Sequence, residues 1–350
     1  MKTHQHPARP ASPSRLRILI IGPSNVGDAI LTSPVIQELS TRYAQAHVTL
    51  AVGERAKALF VEDPRIHTLV DLDRFASPTG RLTLAFALFR HRPQIVVDLR
   101  HTLYPILLKP LGAFRYLRQP PKTLVHLRDR YRWKLRAQVP DLARRERMSG
   151  EAQTPDGPPV WWSAKDAAHV DSLWRRWRLD GAQRVVVICP GARSHIKRWT
   201  PDGMARVADQ LIEGSHAHII LSGEPDEKPV VEEILGRMRH HAHSAVGLTT
   251  IRQLGVLMRR AGLVITNDSA SLHLASALQV PTVAIFGPTD AGKYGPTSPR
   301  SRTIRRRLFC APCEQPLCRF SHECMRFISP EEVYRAAEEL LGATHGPRPA

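Results

Sequence analysis

The stretch RILIIGPSNVGDAILTSP, residues 17–34, reads as a buried strand, a glycine turn and the start of a helix. Four apolar residues in a row, Ile18–Ile21, are typical of a strand that is covered on both faces, as in parallel sheets. Gly22 and Gly27 bracket a turn in which the backbone can approach a ligand. The turn lacks the Lys-Ser/Thr of a P-loop and the Gly-x-Gly-x-x-Gly of a dinucleotide site. Asp28 stands where a phosphate loop would have a cation.

The same alternation of strand and helix recurs along the chain. Apolar runs predict strands at residues 17–21, 47–52, around Asp71, 94–99, 184–189, 217–221, 263–266 and 282–286. Periodic segments predict helices at residues 28–43, 55–60, 82–89, 119–148, 163–178, 201–212, 228–238, 251–260, 271–278 and 330–341. This order predicts an α/β fold with two doubly wound, Rossmann-like domains that face each other across a cleft.

Composition shifts divide the chain further. The polar, Pro-rich residues 1–14 predict a disordered tail, and the Pro- and Gly-rich stretch 149–162 has the composition of a linker. We therefore predict a first domain at 15–160 and a second at 161–328, of which 161–180 is an interdomain linker and helix. A final helix at 329–342 follows, with Ser329 as its N-cap.

Basic residues outnumber acidic residues by 50 to 32, which gives a net charge of +18. Eleven Arg and Lys, against three Asp and Glu, lie between Arg115 and Arg147. This cluster predicts an anionic partner, which is a nucleic acid, a phosphorylated glycolipid or a membrane leaflet. The first residues lack a secretory apolar region, and no apolar run reaches the roughly 18 residues of a membrane span. We therefore expect a cytoplasmic location.

The loops that follow the strands are the candidate ligand sites, because doubly wound sheets bind ligands beyond the carboxyl ends of their strands. In the first loop, Asp28 either favours the positive end of its helix or serves as a carboxylate base. In the loop PGARSHIKRW, Arg193 and Lys197 suit a diphosphate, although a solvated basic loop is the alternative.

Two further loops belong to the second half. In SGEPDE, Gly223 permits a turn and Glu224 can accept hydrogen bonds from a ribose, or it can cap the next helix. The segment TNDSASLHL is the strongest candidate, because its helix N-terminus offers backbone N–H groups to an anion. Asp268 there contacts the ligand or fixes the loop.

Six segments, taken in order, resemble glycosyltransferase family 9, the family of ADP-heptose:lipopolysaccharide heptosyltransferases. They are ILIIGPSNVGDAILTSPVIQEL, DLR, HLRDRY, PGARSHIKRW, TNDSASLHLASAL and PTVAIFGPTDAGKYGP. The resemblance runs over nearly the whole chain, from residue 17 to 342. The ending FCAPCEQPLCRFSHECM is similar to the heptosyltransferase II type.

The resemblance implies a GT-B fold in which the first domain binds the acceptor, the second binds the nucleotide sugar, and the final helix packs back on the first domain. It implies an inverting glycosyltransferase with ADP-heptose as donor, a lipid-linked, phosphorylated lipopolysaccharide core as acceptor, and no required cofactor. It also implies a peripheral location at the cytoplasmic face of the inner membrane.

Site residues follow from the resemblance by position. Asp28 corresponds to the proposed catalytic base. The donor diphosphate and sugar are assigned to Arg193, Lys197, Asp268, Ser269, Ala270, Ser271 and His273. The nucleoside is assigned to Gly223 and Glu224. The basic cluster of residues 115–147 is expected to face the acceptor, which is assigned to Asn25, Gly27, Arg128, Arg130 and Arg132, with Lys134 close to them; a solvated basic face is the alternative for the arginines. Ala270 replaces the family's usual glycine and Ser271 its common proline, which leaves another sugar nucleotide as an alternative donor.

Four cysteines near the C-terminus, Cys310, Cys313, Cys318 and Cys324, are spaced C-x2-C-x4-C-x5-C. Four thiolates can hold a structural zinc ion. The spacing is irregular for a zinc ribbon and His322 is a competing ligand, so we predict no metal and keep zinc as an alternative. The charge and the cysteines also leave a nucleic-acid-binding protein as an alternative of another class. Asp28 and Lys197 together argue against a non-catalytic relative.

Overall fold

A computed structural model describes residues 15–75, 77–142, 144 and 159–342. The chain divides into two compact units, Met1–Trp161 and Trp162–Ala350. The predicted tail at 1–14 and the linker residues 149–158 lie outside the described residues.

The first unit contains a four-stranded parallel sheet with the order β3-β2-β1-β4. Its strands are β1 (Arg17–Ile21), β2 (His47–Val52), β3 (Thr68–Asp71) and β4 (Ile95–Asp98). The stretch that begins at Arg17 supplies the central strand, which pairs with both β2 and β4. Burial on both faces explains why Ile18–Ile21 is an unbroken apolar run.

Seven α-helices of the first unit have both ends among the described residues. They are α1 (Val26–Leu31), α2 (Ser33–Arg42), α3 (Glu54–Lys57), α4 (Pro78–Arg90), α5 (Tyr104–Leu108), α6 (Phe114–Leu117) and α7 (Leu127–Gln138). The single helix predicted at 28–43 is two helices, which meet at Thr32. Pro34 explains the break, because a proline has no N–H for the ladder and its ring clashes with the carbonyl four residues earlier.

The predicted basic helix at 119–148 is shorter in the structure. It begins at Leu127, after Pro120 and Pro121, and the Nδ1 atom of His126 accepts a hydrogen bond from the N–H of Arg128 at its start. Residues 145–148 lie outside the described part of the chain.

The second unit contains a six-stranded parallel sheet with the order β10-β9-β8-β5-β6-β7. Its strands are β5 (Val185–Cys189), β6 (His218–Leu221), β7 (His243–Ser244), β8 (Leu263–Asn267), β9 (Thr282–Phe286) and β10 (Ser301–Arg305). Its helices are α8 (Ala164–Arg176), α9 (Pro201–Ser215), α10 (Lys228–Arg237), α11 (Ile251–Arg260), α12 (Ala270–Ala277), α13 (Ala291–Tyr294), α14 (Glu323–Arg326) and α15 (Pro330–Gly342).

Helix caps of this unit are present at Thr200 and Ser329, of which the one at Ser329 was predicted above. The hydroxyl of Thr200 accepts a hydrogen bond from the N–H of Gly203 at 3.1 Å, and Pro201 is the first residue of α9. Ser329 accepts from the N–H of Glu332 at 3.3 Å, and the Glu332 carboxylate accepts from the N–H of Ser329 at 3.1 Å. Each cap satisfies N–H groups that have no partner inside the helix.

The terminal helix α15 requires a correction. The resemblance placed it on the first domain, whereas in the structure its apolar side chains belong to the core of the second unit. Those side chains are Val333, Ala336, Ala337, Leu340 and Leu341. The helix packs against α9, β8, β9 and β10, so it belongs to the second unit.

No helix among the described residues is both long enough and apolar enough to cross a bilayer.

Candidate functional site

The first candidate site lies after β1. Asp28 is the third residue of α1, and the Nδ2 atom of Asn25 lies 3.4 Å from its Oδ2 atom. Asn25 is exposed, whereas Gly27 and Asp28 are partly exposed. The predicted position of Asp28 at a helix N-terminus is therefore confirmed, and its carboxylate remains open to solvent.

Residues from the loops after β3 and β4 contact the turn that follows β1. The guanidinium of Arg100, after β4, donates to the Ser24 hydroxyl at 3.0 Å, and this hydroxyl donates to Asp73, after β3, at 3.3 Å. Parallel strands bring the three loops to one edge of the sheet. The sequence analysis assigned a role to none of these three residues, and their positions directly after strands were the available signal.

Asp98 fixes the loop that carries Arg100. Its carboxylate accepts from the N–H groups of Arg100 and Thr102 at 2.8 and 2.5 Å and from the Thr102 hydroxyl at 3.0 Å. Burial raises the pKa of Asp98, while these hydrogen bonds and the nearby charge of Lys134 act in the opposite direction. The side chain therefore organises the loop from inside the core.

The predicted acceptor-binding arginines lie on α7 and are partly exposed. Arg128 pairs with Asp129 at 3.4 Å, and Arg130 donates to the carbonyl of Leu124 at 3.2 Å. Arg132 lies on the same helix.

Lys134 differs from these arginines. It is buried and donates to the carbonyl of Leu99 at 2.9 Å, and burial lowers its pKa to about 8. Its expected place beside the acceptor arginines is therefore corrected to a structural contact that supports the loop after β4.

The second candidate site is in the second unit, where the loops after β5, β8 and β9 meet. The Nζ atom of Lys197 lies 2.7 Å from Oδ2 of Asp268, and the Thr289 hydroxyl donates to the same oxygen at 2.7 Å. Asp268 is buried, whereas 30% of the Lys197 side chain is exposed. An ammonium group has three N–H donors, so Asp268 orients Lys197 and leaves donors for a ligand.

Asn267, the last residue of β8, forms hydrogen bonds to the loop after β5. Its Nδ2 atom donates to the carbonyl of Pro190 at 2.7 Å, and its Oδ1 atom accepts from the N–H of Trp199 at 3.1 Å. Both ends of the loop 190–199 are thus tied to the residue that precedes Asp268. Asn267 and Thr289 were absent from the predicted site, although both stand in motifs that the sequence analysis quoted.

The start of α12 lies beside this pair in the chain. The helix begins at Ala270, after Ser269, and no side chain caps its first N–H groups. The Ser269 hydroxyl lies instead 3.3 Å from that of Thr266. Ala270 is the first helical residue, and an alanine fits helical dihedral angles without strain. The replacement of glycine by alanine therefore leaves the backbone N–H groups in place.

The other predicted donor residues differ in exposure. Arg193 is exposed and Ser271 is partly exposed, whereas His273 is buried inside α12. The burial of His273 favours a structural contact over direct binding of the sugar.

The predicted nucleoside loop has its own anchor. Glu224 is exposed, and its N–H donates to the carboxylate of Glu227 at 3.0 Å. The Glu227 carboxylate also lies in the space that a Cβ atom on Gly191 would occupy, so a larger residue at position 191 would displace it. Burial raises the pKa of Glu227. Glu227 thus joins the loop after β6 to the loop after β5.

The four C-terminal cysteines line one cavity of about 300 Å³ together with Ile196 and Pro288. All four are free thiols. Among the described residues, no group of three or more His, Cys, Asp and Glu residues is arranged to hold a metal ion. The N–H groups of Cys313 and Glu314 donate to the carbonyl of Pro288, at 3.0 and 2.8 Å. The cysteine loop therefore braces the loop that carries Thr289.

Comparison with known proteins places these sites in a family. The model of glycosyltransferase family 9 (heptosyltransferase) matches residues 156–323, which include both loops of the Lys197–Asp268 pair. Over these residues the chain matches glycosyltransferase family 9, as the sequence analysis predicted. The prediction of a glycosyltransferase is thereby confirmed.

Two family members show the extent of the similarity. Lipooligosaccharide heptosyltransferase 2 of Campylobacter jejuni is 33% identical over 176 residues, which cover 48% of this chain and 54% of that protein. Lipooligosaccharide heptosyltransferase 2 of Haemophilus influenzae is 26% identical over 314 residues, which cover 83% of this chain and 88% of that protein.

A solved family structure shows the fold. The structure of Escherichia coli ADP-heptose lps heptosyltransferase II superposes with a TM-score of 0.72 at 22% identity and covers 95% of this chain and 100% of that chain. The predicted GT-B class, with two parallel α/β domains, is confirmed.

Proposed function

We propose that this glycosyltransferase moves a heptose from ADP-heptose to a lipid-linked, phosphorylated lipopolysaccharide inner-core acceptor. The observation that carries the proposal is the Lys197–Asp268 pair, because Asp268 stands two residues before α12 and the side chain of Ser269 does not cap the first N–H groups of that helix. This combination suits a diphosphate. The names of the relatives supply the donor, the heptose and the acceptor class.

The donor residues have distinct tasks in this proposal. Lys197 and Arg193, with the N–H groups at Ala270 and Ser271, stabilise the negative charge that develops on the leaving diphosphate. Asp268 orients Lys197, and Ser269 begins the helix. His273 supports the helix from within.

The nucleoside lies against the loop of Gly223 and Glu224 in this proposal. Glu227 connects that loop to the loop after β5, because its carboxylate lies against Gly191. A shift of the nucleoside would therefore move the phosphate-binding loop with it.

Asp28 is the proposed general base. The acceptor hydroxyl attacks the anomeric carbon from the face opposite the diphosphate, a new C–O bond forms, and the bond to the diphosphate oxygen breaks. ADP leaves with the bonding electrons, and Asp28 takes the proton of the hydroxyl. One such displacement inverts the anomeric configuration.

The acceptor contacts are proposed for Asn25 and Gly27 in the turn and for Arg128, Arg130 and Arg132 on α7. Guanidinium groups bind phosphates through two parallel hydrogen bonds, which suits a phosphorylated core. The acceptor is lipid-linked, so the proposed place of action is the cytoplasmic face of the inner membrane.

The test is transfer in vitro. Purified protein is incubated with ADP-heptose and a series of truncated lipopolysaccharide cores, and the masses of the products are measured by mass spectrometry. We expect the mass of one heptose to be added to one core in the series, with an inverted anomeric linkage by NMR. Other sugar nucleotides are run in parallel. If one of them is used and ADP-heptose is not, the proposed donor is wrong.

A further inference from the structure

Helix α4 of the first unit exposes a row of apolar side chains. Leu82, Phe86 and Phe89 are 72%, 64% and 60% exposed. Their spacing of four and three residues places them on one side of the helix. Leu84 and Leu88, on the other side, are buried. The helix is therefore apolar on both its inner and its outer face.

Helices α5 and α6 repeat this arrangement. Leu103 and Leu107, at the start of and within α5, are exposed with a spacing of four, and Phe114 and Leu117 of α6 are exposed with a spacing of three. Leu111, between the two helices, is 96% exposed. Isolated exposed leucines are common on protein surfaces, but a series across three consecutive helices is not.

The inner faces of the three helices meet in one core cluster. Leu84 and Leu88 of α4 and Tyr116 of α6 are buried there, and Tyr104 and Leu108 of α5 pack against it. The helices thus form one layer on the sheet. We call the outward leucines and phenylalanines of α4–α6 and of the segment between α5 and α6 the apolar face.

The charge around the apolar face has one sign. Between Ser77 and Arg128 the sequence contains nine Arg and Lys residues and a single acidic residue, Asp98. Asp98 is buried and hydrogen-bonded to the loop of Thr102, so it does not face solvent. The exposed basic side chains are Arg81, Arg90, Arg92, Arg100, Arg115, Arg118 and Lys122.

We propose that the apolar face is the surface by which this protein docks on an anionic lipid bilayer. Phenylalanine and leucine side chains enter the boundary between headgroups and acyl chains, and the basic side chains bind anionic headgroups. The segment that carries the exposed Phe and Leu has basic side chains and no exposed acidic residue at its surface. This combination complements an anionic leaflet, which offers an apolar layer and negative headgroups together. The inference rests on the proposed function, because a lipid-linked acceptor is reached at a bilayer.

The test uses the full chain and vesicles that contain no saccharide acceptor. We expect the protein to sediment with vesicles of phosphatidylcholine and phosphatidylglycerol, much less with phosphatidylcholine alone, and less as salt increases. The double variant Phe86→Ser and Phe89→Ser should lower vesicle partition by roughly tenfold or more. The matched control is Phe327→Ser, which removes a phenylalanine that is 58% exposed in the second unit and should leave partition unchanged.

A second measurement does not depend on loss of binding. The variant Leu111→Trp adds a tryptophan to the apolar face. The fluorescence emission of this added tryptophan is obtained by subtracting the spectrum of the parent from that of the variant, and it should shift to the blue when the anionic vesicles are added. Equal partition of the parent and the double variant overturns the proposal. The proposal is also overturned if the parent binds no vesicles and forms a dimer that the double variant does not form. The apolar face is then a self-association surface.

The outcomes separate this proposal from the proposed function. Transfer to a delipidated, water-soluble core should persist in the double variant, because the apolar face contains no proposed substrate contact. Vesicle binding without any heptose transfer by the parent contradicts the proposed function alone. Heptose transfer without vesicle binding contradicts the docking surface alone.

Discussion

Lys197 and Asp268, 71 residues apart in sequence, form an ion pair with an Nζ–Oδ2 distance of 2.7 Å. The acid is buried and the base is partly exposed. This asymmetry makes Asp268 the fixed partner and Lys197 the group that solvent can reach.

Replacing Lys197 should weaken donor binding. In Lys197→Met the diphosphate loses a cation and Asp268 keeps a buried charge without its ammonium partner. We expect the KM for the donor to rise by roughly 10- to 100-fold, and the free energy of unfolding to fall by about 1–2 kcal/mol, less than for a fully buried pair. The matched control is Lys293→Met. The Nζ atoms of Lys197 and Lys293 lie 6.0 and 4.9 Å from the centre of the Tyr294 ring, but Lys293 pairs with the exposed Glu314. An equal effect of the two variants would refute the assignment.

Thr289 should act as a positioning residue. Thr289→Val removes the hydroxyl that donates to Asp268 and leaves the shape of the side chain almost unchanged. We expect a several-fold rise in the KM for the donor with little change in kcat, and recovery in Thr289→Ser. A fall in kcat that Ser does not restore would indicate a packing defect instead.

Removal of the proposed base should affect the chemical step. Asp28→Asn keeps the size of the side chain but cannot accept the proton, so kcat should fall by roughly 10²–10⁴-fold. Donor binding, measured by calorimetry, should stay within a few-fold of the parent. Glu54→Gln, which removes an exposed carboxylate after the neighbouring strand β2, is the control and should keep full turnover. Retained turnover in Asp28→Asn contradicts the base assignment.

Lys134 should give stability a dependence on pH. Burial lowers its pKa to about 8 from an ordinary value of 10.5. Between these values the unfolded chain binds a proton that the folded chain does not, so the contribution of Lys134 to stability rises with pH from about 8 to about 10.5. Below pH 8 the cost of burying its charge is fully present. Urea unfolding of Lys134→Met should lack this slope, and an identical slope in both proteins would contradict the assignment.

The five cysteines should differ in reactivity. Burial raises the pKa of Cys189 to about 12 and that of Cys324 to about 11, whereas Cys310, Cys313 and Cys318 are partly exposed. Iodoacetamide at mildly alkaline pH should therefore modify the last three first, as peptide mass mapping would show. Protection of all four C-terminal cysteines together with stoichiometric metal in the purified protein would instead support the zinc alternative.

Much of the fold is predictable because it rests on local patterns. The bounds of β9 and of α11 agree with the sequence prediction at both ends, since each combines an apolar pattern with clear terminal signals. Strand β10, SRTIR, was missed. It pairs only with β9 and is largely exposed, so it lacks the apolar run by which the inner strands are recognised.

For the candidate site, sequence reasoning predicted individual residues better than it predicted the contacts between them. Lys197 and Asp268 were each predicted from their loops, but their pairing depends on two strands that are neighbours in space and distant in sequence. The burial of Lys134 was missed because it was grouped with the arginines of α7 by charge. By helical spacing it shares a side of the helix with Tyr131 and Leu135, which are buried.

The position of α15 has a consequence for how this enzyme can diversify. The second unit completes its core with its own terminal helix, so the segment from residue 162 to 342 contains both the proposed nucleotide-sugar loops and the residues that enclose them. Recombination at the inter-unit stretch would exchange a whole donor module without cutting through a core. Under the proposed function, changes in acceptor choice and in donor choice would accumulate in separate halves of the gene.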